Sequence, residues 1–118
     1  MRSFSAALLV LVLLAPGPAA AQASFRVTHK VERTTATHTV LAGEVFNDVA
    51  ADAAEVYVTA EALDPAGKRL AQGIAWVGGV RGRGSEPYTV RVPFVRGATR
   101  FRVYVSGFQL GFGRSEAP

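Results

Sequence analysis

Three groups of side chains in this sequence could do chemistry. His29 and His38 are the only imidazoles, and the chain has no cysteine. A zinc-type site gathers three or four His, Cys, Asp or Glu ligands at characteristic spacings. No acidic residue stands at such a spacing here, so no metal site is expected, and His29, on the apolar phase of its segment, reads as a half-buried, hydrogen-bonded histidine. Ser85 and Ser106 are hydroxyl nucleophiles by type, but the Gly-x-Ser-x-Gly turn that exposes a catalytic serine is missing. The third group is basic: Arg81 and Arg83 within the stretch GGVRGRG, then Arg91, Arg100 and Arg102 with Tyr104 in two later alternating segments.

The basic group is the only one with a coherent chemistry. Successive backbone N–H groups in a glycine-rich loop attract anions, and guanidinium groups add to that attraction. The loop lacks the Gly-Lys-Ser/Thr ending of a phosphate loop and the GxGxxG-then-helix pattern of a dinucleotide site. Its alternative is a hairpin loop kept soluble by Arg81 and Arg83, and its four glycines predict mobility because ordering glycine costs backbone entropy. Arg91, Arg100, Arg102 and Tyr104 share the outward phase of the last two strands. If those strands are neighbours, the four make a basic, partly aromatic strip suited to an acidic glycan, a lipid headgroup or an acidic protein; the alternative is a solvated sheet face. The candidate anion- or partner-binding residues are therefore Arg81, Arg83, Arg91, Arg100, Arg102 and Tyr104. The sequence points to no catalytic residue and no cofactor, so the expected role is non-enzymatic.

The elements that must position these residues begin after a leader. Arg2, the apolar run Ala6–Ala15, the breaker Pro16-Gly17-Pro18 and the small-x-small Ala21-Gln22-Ala23 make residues 1–23 a secretory signal peptide. The apolar run is short against the roughly 20 residues of a spanning helix. Cleavage after Ala23 is expected, leaving no transmembrane anchor; an uncleaved anchor is the alternative. Export to the periplasm or beyond removes nucleic acid as a partner. With no cysteine after the leader there is neither a lipid anchor nor a disulfide, and the core alone must hold the fold. The chain has 118 residues, room for one domain. Its charge is uneven: residues 24–64 carry seven acidic and three basic side chains, residues 65–118 two and nine. That asymmetry marks either an interaction face or two halves whose charges pair across strands.

Period-two alternation dominates the chain after the leader. Ser24–Arg33 places Phe25, Val27, His29 and Val31 on one face, predicting a half-buried strand, and a turn is expected near Thr35-Ala36. Val40–Phe46 alternates up to the turn residues Asn47-Asp48, and Asp48–Ala54 reads as a small loop able to form one helical turn. In AEVYVTAEAL, Val56, Val58, Ala60 and Ala62 share a face. A helix over 49–63 is open on propensity, but the β-branched alternation and the stop at Asp64-Pro65-Ala66-Gly67 favour a strand and turn. Lys68–Val77 returns as the partner strand, with Trp76 at or near the core and Gly73 as a candidate bulge. Tyr88, Val90, Val92 and Phe94 alternate next, with Pro93 marking an edge or an end. After a turn at Arg96-Gly97-Ala98, Phe101, Val103 and Val105 point inward in Arg100–Leu110. Residues 111–118 read as a flexible tail.

Gly43-Glu44-Val45-Phe46-Asn47, a variable loop, Val56-x-Val58, and Asp64-Pro65-Ala66-Gly67-Lys68 together resemble the FxLYD domains. More broadly they resemble the Ig-like or fibronectin-III-like sandwiches of bacterial envelope proteins in the style of LEA type 2 domains. Of the name-giving motif this chain keeps only Asp64, in Ala60-Glu61-Ala62-Leu63-Asp64. The resemblance implies an extracytoplasmic interaction module without catalytic residues. The expected fold is an all-β antiparallel sandwich of six to seven strands over residues 24–110. Its expected partner is an envelope protein, with strand addition at an exposed sheet edge as one mode; the alternative is an anion-binding module for acidic glycan or lipid headgroup.

Overall fold

Seven strands succeed one another without a helix over residues 24–110, the residues described by the computed structural model. They are β1 (Phe25–Val27), β2 (Lys30–Thr34), β3 (His38–Asn47), β4 (Ala53–Leu63), β5 (Arg69–Val80), β6 (Ser85–Pro93) and β7 (Arg100–Leu110). The expected leader at 1–23 and tail at 111–118 lie outside the described residues. In the first sheet β3 is central, with β6 along one edge and β1 and β2 end to end along the other. In the second, β4 runs between β5 and β7. Every pairing is antiparallel, and the two sheets pack face to face as a β-sandwich, as the alternation predicts.

The core forms where the inward phases meet. Leu41, Val45, Tyr88, Val90 and Val92 from the first sheet face Val56, Val58, Ala60, Ala62, Val103 and Val105 from the second. Phe25 closes one end, its ring edge-on to Phe108 at 4.9 Å. The helical option for 49–63 loses because its small and β-branched residues fill the narrow gap between sheets on one phase. No helical turn forms before it: Asp48–Asp52 is irregular chain. The β4–β5 turn is the one the sequence predicts. Gly67 sits at φ 89° and donates to the Asp64 carbonyl, while Asp64 Oδ1 accepts from the Ala66 and Lys68 N–H groups at 2.9 and 2.8 Å.

Two close approaches revise the sequence reading. The first segment is a broken strand, not one continuous half-buried one. Between β1 and β2 the Thr28 carbonyl turns in over Gly43, 1.9 Å from where a Cβ would stand, and accepts the Tyr88 hydroxyl at 2.6 Å. Beyond the break β2 is exposed throughout, so His29 and Val31 lie at the surface, not half-buried. Gly73 is likewise no bulge: β4 and β5 stay in register there. It is the point where the Arg91 carbonyl of β6 comes within 1.9 Å of the position a Cβ would need. At this flank β5 and β6 meet backbone to backbone, and only Ala71, Gly73, Ala75 and Val77 fit on the inward side of β5. The larger Ile74 and Trp76 are therefore turned outward. Phe94 also departs from its predicted phase, because β6 ends at Pro93 and leaves Phe94 exposed.

Candidate functional site

The outward face of the second sheet brings together the side chains with most to offer a ligand. Register sets them in rows across β5, β4 and β7: Trp76 beside Tyr57; then Ile74, Thr59 and Tyr104; then Gln72, Glu61 and Arg102; and last Arg69 and Arg100 opposite Leu63. One end is apolar and bare, with Trp76 62%, Ile74 59% and Tyr57 39% exposed. The other end is charged.

Trp76 is exposed yet held in place. Its indole Nε1 donates to Glu55 Oε1 at 3.3 Å. Three carbons of its six-membered ring lie 3.3–3.7 Å from where a Gly78 Cβ would stand, and Gly78 itself has φ +91°. One ring face thus rests on bare backbone that only glycine supplies without strain. Glu55 is itself in the left-handed region, at φ 51°, inside the β4 irregularity between Ala53 and Val56. A non-glycine residue there stores strain, and that conformation aims its carboxylate at the indole. Beside it, the Tyr57 ring lies over Gly107, with Cδ2 3.8 Å from the position of an added Cβ.

At the charged end Glu61 is buried, only 4% exposed. Arg102 donates to its Oε1 from Nε at 3.0 Å and from Nη2 at 2.5 Å. The Tyr104 hydroxyl donates to Oε2 at 2.8 Å, and Arg69 stands 3.7 Å from the same oxygen. Burial resists ionisation of Glu61, but the hydrogen bonds from Arg102 and Tyr104 and the two positive charges outweigh it, so its pKa falls below the usual glutamate range. Burial, together with the bond to Glu61, raises the Tyr104 hydroxyl. Both arginine side chains remain more than half exposed while paired. This cluster holds three arginines, counting Arg100, against one carboxylate.

No protein-family model matches this chain, and no curated protein matches it.

The remaining sequence-selected residues are placed elsewhere. Arg100, Arg102 and Tyr104 share the face just described, but Arg91 does not. β6 belongs to the first sheet, where Arg91 pairs with Val40, so the strip expected from neighbouring last strands is divided between two sheets. Arg81 and Arg83 lie in the four-residue loop between β5 and β6. This loop is bonded to the body of the domain, where the glycine count predicted mobility. The Gly82 N–H donates to Asp52 Oδ1 at 2.9 Å, the Arg83 N–H to the Val49 carbonyl at 2.9 Å and the Gly84 N–H to the Arg81 carbonyl at 2.8 Å. The Arg83 side chain donates to the Asp48 carbonyl at 3.0 Å. A carboxylate of the chain itself, that of Asp52, already occupies the position a bound anion would take.

Of the two serines, Ser106 accepts from Thr59 at 2.6 Å on the outer face, and Ser85 lies 3.4 Å from Glu44 Oε2. His38 Nδ1 is 2.9 Å from the Thr37 hydroxyl. Among the described residues no group of three or more His, Cys, Asp or Glu side chains is placed to hold a metal ion. A cleft of about 270 Å³ opens at the end of the sandwich, bordered by Val31, Phe94, Phe101 and Arg96.

Sequence reading missed Tyr57, Glu55 and Ile74 as surface groups and Glu61 as the buried carboxylate beneath the arginines, and placed Trp76 at or near the core. A signal was present in the alternation of small Ala71, Gly73 and Ala75 with large Ile74 and Trp76. When one phase of a strand holds only small residues, the other phase carries its bulk.

Proposed function

We propose that this chain is a non-enzymatic recognition module of the bacterial cell envelope, exported by its leader and binding a partner through the outer face of the β5–β4–β7 sheet. The observation that carries this reading is the cluster Tyr57, Ile74 and Trp76, left bare at one end of a sheet face whose other end carries Arg69, Arg100 and Arg102. Trp, Tyr and Arg are the side chains that most often dominate binding energy at interfaces, and an exposed apolar cluster with a polar rim is the usual mark of a contact surface. The β-sandwich architecture and the resemblance of the sequence to FxLYD domains support a module of this kind.

The test is retention of envelope components by the immobilised protein. Trp76→Ala and Ile74→Asp, both at exposed positions, should lose the retained component while the thermal midpoint stays unchanged. Identical retention by the wild type and both variants would remove the face from consideration.

A further inference from the structure

We infer that the occupant of this face is an acidic polysaccharide, a chain of uronate-type sugars laid across β5, β4 and β7; this rests on the recognition face proposed above. Trp76 offers one whole ring face to solvent while Gly78 backs the other and Glu55 fixes the indole N–H. A pyranose ring stacks on such a surface because its axial C–H groups, slightly positive, meet the negative face of the aromatic π system. Tyr57, resting on Gly107, extends the surface across the next strand. Neither the cleft at the sandwich end nor the hollow beside Gly43 includes Trp76, Tyr57 or Ile74, so the aromatic surface is separate from both.

Charge supplies the second part. The far end of the face carries Arg69, Arg100 and Arg102 against Glu61, and the side chains of Arg69 and Arg102 stay more than half exposed after pairing. Their outward N–H groups suit a carboxylate, which guanidinium binds through two parallel hydrogen bonds. From the Trp76 row to the Gln72 row is four residues of strand, about 13 Å. A ligand touching both ends is therefore extended, a polymer rather than a single sugar. Exposed Gln72 and Ser106 lie on the same face as hydrogen-bonding groups for its hydroxyls, while Thr59 is buried and holds Ser106.

Trp76 is the only tryptophan in the chain, so its fluorescence reports on the site directly. Polygalacturonate added to the full protein should shift or quench that emission and bind at least tenfold more tightly than dextran, a neutral glucan. Binding should weaken about tenfold between low and high salt as the arginine contacts are screened. Trp76→Ala should weaken it tenfold or more, Tyr57→Ala and Arg100→Ala about threefold each, with thermal midpoints confirming the fold. Glu55→Gln, which keeps an acceptor for the indole, should retain binding, and Glu55→Ala should lose part of it.

Unchanged tryptophan emission with polygalacturonate would overturn the inference, as would equal affinity for dextran. So would binding to anionic-lipid vesicles without binding to the polysaccharide. If an envelope protein is retained through Trp76 and the polysaccharide is not, the glycan is wrong and the recognition face stands. If Trp76→Ala alters neither, both fall.

Discussion

On the outer face of the first sheet Phe46 lies under Arg26, whose guanidinium carbon is 4.6 Å from the ring centroid. Arg26 is held there by Asp48, with Nε 2.9 Å from one carboxylate oxygen. On the outer face of the second sheet Trp76 and Ile74 lie open, although three arginines belong to the same face. Two of them, Arg69 and Arg102, are turned to Glu61 instead. One sheet covers its outward aromatic ring with a cation, while the other directs its cations to a buried carboxylate and leaves its aromatic rings bare. This contrast supports the reading of the second face as the contact surface proposed above.

The largest expected effect that sharpens this contrast is at Glu61. Glu61→Ala removes the charge-assisted hydrogen bonds from Arg102 and Tyr104 and should cost about 2–3 kcal/mol in urea unfolding. Asp48→Ala, which breaks the exposed pair on the first sheet, should leave the urea midpoint nearly unchanged. The same carboxylate, Glu61, sets the acid response. Because the Glu61 pKa is lowered by folding, its stabilisation is complete above the ordinary glutamate value and is lost as pH falls through the folded value. Stability of the wild type should therefore fall more steeply below about pH 4 than that of Glu61→Gln.

Phe46→Ala should cost about 2 kcal/mol, since the ring is half-buried and carries the cation contact. A cost as small as that of Trp76→Ala would erase the distinction between the faces. Tyr88→Phe removes the hydroxyl that reaches the Thr28 carbonyl and should cost about 1 kcal/mol. Burial pushes the Tyr88 pKa up to about 12, so its stabilisation holds below the ordinary tyrosine value and is lost as pH rises from there through about 12. Phenolate absorbance should show a last phase near that pH which Tyr88→Phe abolishes. Trp76→Ala should be the mildest change, within about 0.5 kcal/mol, while having the largest effect on binding.

The strands, the inward phases of β4 and β7, and the Asp64–Gly67 turn were all legible, because each is a local matter of alternation or turn chemistry. So was the β4–β5 pairing across that turn, but the more distant strand neighbours were not. That β4 runs between β5 and β7 depends on contacts distant in sequence, and that placement decides whether Arg91 joins Arg100 and Arg102. The burial of Glu61 was hidden for the same reason, as its partners come from β5 and β7. Trp76 was misplaced because a large apolar residue in a strand ordinarily points inward. Here the Arg91 carbonyl stands against Gly73 and denies it the room.

The contact between Arg91 and Gly73 also bears on the architecture. Pro87 and Pro93 lie at even spacing from Arg91 along β6, so their nitrogens share the direction of the Arg91 carbonyl toward β5. Neither nitrogen carries a hydrogen to donate. β5 can lean on this flank but cannot be zipped to it by a continuous ladder, and the two layers remain separate instead of curling shut into a closed barrel. Each layer thereby keeps an outward face of its own, distinct from the other's.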